Sequence, residues 1–231
     1  MDALEFKERL RLLGSKDNIP NIERFFFDKN TGTQFLGVPF RDTFALAKEF
    51  IDLPLFEVDI LLEDHHYEVR MGAVSIMDYQ TKSKKISELR RKEIFDLYLF
   101  RHDRINNWDL VDRGSPSIIG EYLLNRPRQI IYDLATSDNV WERRTGIVST
   151  HAFIKKGQLE DTFKIAGILI NDKHEMIHKA VGSWIREAGK HAPAQLFDFL
   201  EKYVSVMPRI TLSYATEKME ADKKNYFRHL K

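Results

Sequence analysis

The 231-residue sequence predicts an all-α protein, a solenoid in which helix pairs stack along the chain. Amphipathic segments alternate with brief turns of Asp, Asn, Gly or Pro throughout the chain. The alternating pattern of a β-strand is almost absent. One motif begins at residues 64, 103, 138 and 172, that is at intervals of 39, 35 and 34 residues. Intervals of this length are typical of helix-pair solenoids.

The N-terminal region predicts short helices that end at turn residues. Residues 4–13 are amphipathic, and Gly14 follows them as a stop signal. A second helix begins near Pro20, and its run of three phenylalanines at 25–27 is interpreted as core, because consecutive helical residues cannot share one face. Residues 30–33 predict a turn, and residues 40–51 predict the next helix.

The repeated motif places an acid, a second acid, a basic residue and a glycine at offsets 0, 4, 6 and 8. Its two full copies are Asp64, Glu68, Arg70, Gly72 and Asp138, Glu142, Arg144, Gly146. The small residue allows two helices to approach closely, and the second helix of each pair is predicted to line a concave binding surface. Residues at offset six are therefore predicted to share that surface, namely Arg70, Asp109, Arg144 and His178.

The stretch 106–112 places a large aromatic side chain and a carboxylate one helical turn apart. If Asn107 caps a helix, Trp108 and Asp112 stand at i and i+4 on one face. An aromatic ring and a fixed negative charge attract the same cationic or electron-poor group. The alternative interpretation is that Trp108 packs in the core beside a solvated Asp112.

Composition excludes several classes of function. The chain has no cysteine, which excludes disulfides, thiolate catalysis and cysteine zinc sites. Neither a glycine-rich phosphate loop nor a G-x-S-x-G motif is present. No apolar run approaches the roughly 18 residues that a membrane span requires. We expect a cytoplasmic protein with one domain over residues 1–231, whose net charge of +1 does not by itself drive binding to nucleic acid.

An H-E-x-x-H sequence at residues 174–178 raises the possibility of a zinc hydrolase. On a helix, this motif can place two imidazoles on one zinc ion with the glutamate as general base. Glu187, His191 or Glu201 could supply a third ligand. Against this interpretation, the aligned repeats lack both histidines, and Lys179 follows the motif where metalloprotease helices usually carry an uncharged residue.

Two basic pairs and two further tryptophans have competing interpretations. Arg143-Arg144 and Lys155-Lys156 could contact phosphates or form a solvated helix face. Trp141 is interpreted as core, and Trp184 is interpreted as packing because residues 182–187 are apolar on one side.

Several ordered segments together resemble the AlkD-type DNA alkylation repair glycosylases. These are Phe35-Leu36-Gly37-Val38, Asn107-Trp108-Asp109-Leu110-Val111-Asp112, Ser137-Asp138-Asn139-Val140-Trp141-Glu142-Arg143-Arg144, Lys179-Ala180-Val181-Gly182 with Arg186-Glu187, and Pro208-Arg209-Ile210-Thr211-Leu212. The resemblance runs from about residue 25 to residue 217. It implies a superhelix of HEAT-like repeats with a basic DNA-binding channel. It also implies removal of cationic 3-methyladenine and 7-methylguanine from double-stranded DNA by a monomer, without metal or cofactor.

The resemblance also implies roles for individual residues. Trp108 matches an aromatic side chain that packs against the deoxyribose of the lesion, and Asp112 matches the catalytic carboxylate. Arg144 matches a cation that contacts the DNA backbone near the lesion. The predicted DNA-binding set is completed by Arg143, Ser183, Arg70 and Arg209. The lesion is expected to stay near the base stack rather than enter a pocket.

Two positions depart from the family pattern. Gly182-Ser183 stands where the competent pattern has Gly-Trp, and Trp184 is rotated by about 100° around the helix from that place. A tyrosine expected near the N-terminus is also missing, since Phe27 or Asp28 occupies its neighbourhood. These departures motivate a second hypothesis, in which the protein is a catalytically weak or inactive relative that binds DNA or protein.

Overall fold

The computed structural model describes residues 1–27 and 32–231 and divides the chain into two compact units, Met1–Tyr122 and Leu123–Lys231. Within this described part, all regular structure is helical, apart from an isolated β-bridge between Gln34 and His66. The all-α prediction is confirmed. The turn predicted at residues 30–33 lies partly outside the described residues, and a single domain over residues 1–231 stays a prediction.

The first unit is built around one buried helix. Its α-helices are α1 (Ala3–Leu12), α2 (Ile19–Glu23), α3 (Phe40–Glu49), α4 (Leu55–Leu62), α5 (Tyr67–Lys82), α6 (Glu88–Phe100) and α7 (Trp108–Ser115), with 3₁₀ turns at Lys16–Asn18 and His102–Arg104 and a π turn at Pro116–Gly120. Helix α5 is buried on every side over residues 67–78 and packs against α3, α4 and α7. A helix with no exposed stripe is the centre of its unit.

The second unit continues the pattern of packed helices. It contains α8 (Gln129–Ala135), α9 (Val140–Val148), α10 (His151–Ile154), α11 (Glu160–Ile168), α12 (Glu175–Gly189), α13 (Pro193–Tyr203), α14 (Arg209–Ala215) and α15 (Ala221–Leu230). Helix α9 packs against α8 and α12, and α12 packs against α14. Among the residues that the structure describes, no helix combines the length and apolar character that crossing a bilayer requires.

Glycines allow the close helix contacts that the repeat predicts. A Cβ atom added at Gly72 would lie 2.4 Å from the Phe6 ring, and one at Gly146 would lie 2.8 Å from the carbonyl oxygen of Ile131. Both distances are shorter than real Cβ contacts. The glycine of the motif therefore sets how closely α5 approaches α1 and how closely α9 approaches α8.

The phenylalanine run at 25–27 departs from its predicted helical setting. Helix α2 ends at Glu23, before the run begins. Phe26 is buried, whereas Phe27 is 43% exposed, so only part of the run is core. The physical reason is that this backbone is hydrogen-bonded to the side chain of Asn107 instead of continuing the helix.

The helix N-caps correct the register of the repeat by one residue. Helices α5, α7, α9 and α12 follow the N-cap residues His66, Asn107, Asn139 and His174. Ser137, not Asp138, begins the turn before α9, because its Oγ accepts the backbone N–H of Asn139 at 3.0 Å. Asp64 and Asp172 accept the equivalent N–H groups at 2.9 and 2.8 Å.

The corrected register changes which side chains are equivalent. Four residues after each N-cap stand Arg70, Val111, Arg143 and His178, and five residues after it stand Met71, Asp112, Arg144 and Lys179. Arg144 is therefore equivalent to Asp112 rather than to Arg70. The predicted alignment of Asp109 with Arg70 is also wrong, since Asp109 occupies the place of Glu68.

Candidate functional site

Helix α7 presents Trp108 and Asp112 on its partly exposed side. The extended backbone of Asn107 leads into Trp108 as the first helical residue. Leu110 and Val111 are fully buried, whereas Trp108 and Asp112 are half-buried one turn apart. Because residues at i and i+4 are neighbours on a helix, an aromatic face and a carboxylate lie side by side at the surface of the first unit.

The indole of Trp108 is fixed by a backbone carbonyl far away in the sequence. Its Nε1 donates to the carbonyl oxygen of Phe25 at 2.9 Å. A partly buried indole N–H needs such a partner, which restricts the orientation of the ring. Trp108 is thus neither a wholly buried core side chain nor a freely rotating surface one.

Asn107 ties the same segment to α7. Its Nδ2 donates to the Phe25 carbonyl at 3.0 Å, and its Oδ1 accepts the backbone N–H of Phe27 at 3.0 Å. The predicted capping role of this side chain is corrected, because it makes no capping hydrogen bond to α7. The local sequence gives no sign that Asn107 binds the segment at Phe25, because Phe25 lies 82 residues upstream.

Asp109 lies inside the unit and not on the predicted binding surface. Its carboxylate accepts hydrogen bonds from the Tyr67 hydroxyl, from Asn107 Nδ2 at 2.7 Å and from the Leu110 N–H at 2.9 Å. Burial raises the pKa of Asp109 to about 6, because loss of solvation outweighs these three donors. Burial, followed by the charge of Asp109, also raises the pKa of Tyr67.

Glu68, the acid of α5 that is equivalent to Asp109, binds the backbone of the Phe-Leu-Gly-Val segment at residues 35–38. Glu68 is fully buried, and its Oε1 accepts backbone N–H groups from Leu36 at 3.1 Å and Gly37 at 2.8 Å. Gly37 has φ +77°, and a Cβ atom there would lie 2.0 Å from the carbonyl oxygen of Ser15. Only glycine fits this turn. The backbone of this segment therefore holds the fold of the first unit.

Two predicted DNA contacts, Arg70 and Arg143, are braces between consecutive repeats. Arg70 is 3% exposed and donates to the carbonyl of Asp64 at 2.8 Å and to Asn106 Oδ1 at 3.2 Å. Its pKa is lowered to about 10, first by burial and then by the charge of Arg104. The corresponding Arg143 donates to its own turn and, at 2.6 Å, to the buried carboxylate of Asp172 in the next repeat.

The other predicted DNA contacts lie in the second unit. Arg144 is 7% exposed, and its Nη1 donates to the carbonyl of Met176 at 2.6 Å. Ser183 is half-buried on α12. Arg209 is exposed at the first residue of α14, where it lines an open cavity of about 310 Å³ together with Arg228 and Lys231.

Trp141 and Trp184 pack against histidines. Trp141 is 8% exposed and packs edge-on against His174, which agrees with its interpretation as core. The half-buried ring of Trp184 lies 4.8 Å from the ring of His151 on α10. Trp184 therefore contacts a neighbouring helix. Of the positions near the missing tyrosine, Phe27 is exposed and Asp28 lies outside the described residues.

The H-E-x-x-H sequence does not have the geometry of a zinc motif. His174 is the N-cap of α12 and precedes its first helical residue, and its Nδ1 accepts the N–H of Met176 at 3.2 Å. His178 Nε2 lies 2.5 Å from the carbonyl oxygen of Asp172, and Glu175 is paired with Lys179. Over residues 1–27 and 32–231, no group of three or more His, Cys, Asp or Glu side chains could hold a metal ion.

Comparison with known proteins identifies a family model and a solved structure that each cover most of the chain. The family model described as DNA alkylation repair enzyme matches residues 6–219. No match is found among curated proteins. A solved structure described as a predicted DNA alkylation repair enzyme from Enterococcus faecalis shares the fold, with a TM-score of 0.71 and 14% identity over 90% of this chain and 97% of that chain. The family match covers well over half of the sequence, and the chain therefore belongs to the DNA alkylation repair enzyme family.

Proposed function

We propose that this protein is a DNA glycosylase that hydrolyses the N-glycosidic bond of positively charged alkylated purines in duplex DNA. The family to which the chain belongs supports alkylated DNA as the substrate. The observation that carries the proposal is the pairing of Trp108 and Asp112 on the partly exposed face of α7, with the indole fixed by Phe25. The proposed substrates are 3-methyladenine and 7-methylguanine.

The residue types suit this chemistry. A purine alkylated at N3 or N7 is already cationic, so it leaves without protonation by a general acid. Water adds to C1′ and loses a proton to solvent, while the bond from C1′ to the base breaks and its electron pair leaves with the neutral purine. Positive charge develops on the sugar, where the Asp112 carboxylate stabilises it and orients the water. The Trp108 ring packs against the deoxyribose.

Contacts to the DNA backbone are proposed for Arg144, Arg209 and Ser183. Arg144 occupies in α9 the helix position that Asp112 occupies in α7, and the resemblance gives it a contact with the DNA backbone. Arg209 is exposed and suits a phosphate contact. Arg70 and Arg143 are left out of the proposed interface, because their guanidinium groups hold turns within the units and, unlike Arg144, the resemblance assigns neither of them a DNA contact.

A second candidate function is supported by Ser183. The resemblance places a tryptophan there in catalytically competent proteins, and Trp184 packs against His151. A relative that binds DNA without releasing a base would retain the fold and Arg209 but lack half of the aromatic surface. Such a protein would bind duplex DNA in a salt-sensitive manner.

Incubation of the protein in excess with duplexes carrying either 3-methyladenine or 7-methylguanine tests the proposal. We expect release of the free methylated base, detected by mass spectrometry, together with abasic sites in the DNA. Release of neither base at enzyme excess would contradict the glycosylase proposal. Salt-sensitive binding of the same duplexes without release would support the second candidate.

A further inference from the structure

A buried polar network reaches Trp108 from the interior of the first unit. It begins at the hydroxyl of Tyr67 on α5, which donates to the carboxylate of Asp109. Asp109 accepts in turn from Nδ2 of Asn107, and Asn107 is bonded to the backbone at Phe25 and Phe27. Tyr67 and Asn107 are fully buried, and Asp109 is 9% exposed. None of these three side chains is at the surface that would meet DNA.

Both the NH₂ group and the oxygen of the Asn107 side-chain amide have hydrogen-bond partners. One hydrogen of its Nδ2 points to the Phe25 carbonyl at 3.0 Å, and the other points to Asp109 Oδ1 at 2.7 Å. Its Oδ1 faces the N–H of Phe27 at 3.0 Å. Exchanging the amide oxygen and nitrogen would set the oxygen against two acceptors, the Phe25 carbonyl and Asp109, and the NH₂ group against the N–H of Phe27. Only one orientation therefore fits. A side chain with two donors and one acceptor is required at this position.

The Phe25 carbonyl is shared by two donors. It accepts from Asn107 at 3.0 Å and from the indole of Trp108 at 2.9 Å. Phe25 follows the end of α2, and its N–H donates to the carbonyl oxygen of Ile22 in that helix at 3.0 Å. The helix therefore holds the N–H side of the residue, whereas the carbonyl group is held by Asn107 and Trp108. The position of the carbonyl depends on Asn107, and the orientation of the indole depends on the carbonyl.

We infer that Asn107 is a positioning residue, whose amide holds the backbone at 25–27 so that the Phe25 carbonyl fixes the Trp108 ring for contact with the substrate. Asp109 and Tyr67 support it from behind. The inference deepens the proposed function and rests on it, because that proposal gives the Trp108 ring its role at the deoxyribose. An aromatic contact displaced by a fraction of an ångström loses much of its effect on the reacting sugar.

The discriminating variant is Asn107→Asp, with Asn106→Asp as its matched control. At residue 107 the change replaces the donating NH₂ group with an oxygen that faces both the Phe25 carbonyl and the Asp109 carboxylate. At residue 106 the same change keeps the side-chain oxygen that accepts a hydrogen bond from Arg70, which is 3.2 Å long in the wild-type protein. Tyr67→Phe is a milder second variant, which removes only the hydroxyl bonded to Asp109.

The indole N–H resonance of Trp108 reports the geometry directly. The protein has three tryptophans, so a ¹H–¹⁵N correlation spectrum shows three indole signals, and Trp108→Phe identifies one of them. In Asn107→Asp we expect the Trp108 signal to move upfield and to exchange faster with water. Tyr67→Phe should move it less, and Asn106→Asp should leave it in place. The signals of Trp141 and Trp184 show whether the second unit is folded, and the far-UV circular dichroism spectrum shows whether the whole protein keeps its helices.

Single-turnover base release gives the functional readout. We expect Asn107→Asp to lower the rate constant by about tenfold or more while the Kd for duplex DNA changes by no more than about twofold, because positioning acts on the reacting geometry. An unmoved Trp108 signal in folded Asn107→Asp, or unchanged base release despite a moved signal, overturns the inference. If Asn107→Asp does not fold, Tyr67→Phe is held to the same two criteria. An inactive wild-type protein contradicts the proposed function alone, and the indole signal then decides whether Asn107 holds Trp108.

Discussion

Asp109 lies next to Trp108 in the sequence, yet its carboxyl faces Tyr67 in the interior of the first unit. Its pKa of about 6 in the folded protein stands above the value of about 3.9 expected in the unfolded chain. The folded state therefore holds this proton more tightly. The resulting stabilisation is full below about pH 4 and is lost as the pH rises through about 6.

Asp109→Asn should flatten this pH dependence. The wild-type protein should lose about 2 to 3 kcal/mol from this group between about pH 4 and pH 7, whereas the variant should not. Urea unfolding across that pH range measures the difference in slope between the two proteins. Asp138→Asn, at an exposed carboxylate, is the matched control and should follow the wild type. Parallel curves of unfolding free energy against pH for wild type and Asp109→Asn would show that the Asp109 carboxyl is not the source of the pH dependence.

Ser183→Trp should increase base release under single-turnover conditions by about tenfold, because it restores the tryptophan that the resemblance places there in catalytically competent proteins. The position is half-buried on α12, so a larger side chain can extend toward solvent. Trp184→Phe is the control one residue away. That ring packs against His151, and its change should leave the rate within about twofold of wild type. A folded Ser183→Trp protein with no gain would show that the serine is not what limits activity.

At the level of residues, spacing identified the surface pair but not its supports. Trp108 and Asp112 are one turn apart, and a helical period predicts that they share a face. Asn107 and Asp109 act through Phe25 and Tyr67, which are distant in the sequence and come together only through packing. A charged side chain in a short motif also carries no sign of its burial, which is why Arg70 was predicted to contact DNA.

Helix contacts depend on glycines whose neighbours are backbone atoms. A Cβ atom at Gly182 of α12 would lie 2.6 Å from the carbonyl oxygen of Thr211 and 2.6 Å from the Cβ of Tyr214, both on α14. Neither atom can move without moving the helix. The contact between α12 and α14 therefore has no room for a methyl group.

Gly182→Ala should destabilise the protein by about 1 to 3 kcal/mol, the usual cost of overpacking. Gly167→Ala on α11 is the matched control. The three atoms nearest to a Cβ atom there all belong to the Tyr203 side chain, with the hydroxyl oxygen at 3.0 Å. Since alanine favours a helix over glycine, we expect Gly167→Ala to change stability by less than about 1 kcal/mol. Thermal and urea unfolding of both variants measure the comparison, and equal stability of the two would contradict the packing argument.

At the level of elements, residue spacing alone predicts the alignment of the repeat copies with an error of one residue at α9. An alignment based on residue type pairs Asp138 with Asp64, because both are acidic. The side chain that holds the turn before α9 is Ser137, whose hydroxyl accepts the same hydrogen bond as the carboxylates of Asp64 and Asp172. Helix pairs follow from periodicity, whereas N-caps depend on hydrogen bonds that different residue types can make.

The charge of the whole molecule limits how strongly it can bind DNA. Its 36 basic residues are nearly balanced by 35 acidic ones. Several arginines are also committed to internal pairs, such as Arg101 with Asp59 and Arg143 with Asp172. Binding must therefore depend on the remaining exposed cations, which include Arg209.

Arg209→Gln should weaken binding to duplex DNA of any sequence. Loss of one phosphate contact should reduce the slope of log K against log salt by about 1. Arg41→Gln is the matched control, since that arginine is exposed but lies on α3 outside the proposed interface. Fluorescence anisotropy over a range of salt concentrations measures the slopes. An unchanged slope for Arg209→Gln would remove this arginine from the interface.

Fold class and family followed from patterns that extend over the whole chain. Alternating amphipathic segments and the repeat predicted the helical architecture, and ordered motifs predicted the family, because both are distributed along the sequence. The division after Tyr122 was not predicted, since neither composition nor spacing changes at that point. It reflects which helices pack together, and packing partners are not encoded in local periodicity.

The central claim is that the Asp112 carboxylate promotes loss of a cationic alkylated base from DNA. Single-turnover release of 7-methylguanine by wild type, Asp112→Asn and Asp138→Asn tests it most directly, with the last variant as a matched change at an exposed carboxylate. We expect Asp112→Asn to lower the rate constant by about 100-fold or more while binding DNA as the wild type does, and Asp138→Asn to keep the wild-type rate. Equal rates for Asp112→Asn and wild type would contradict the claim.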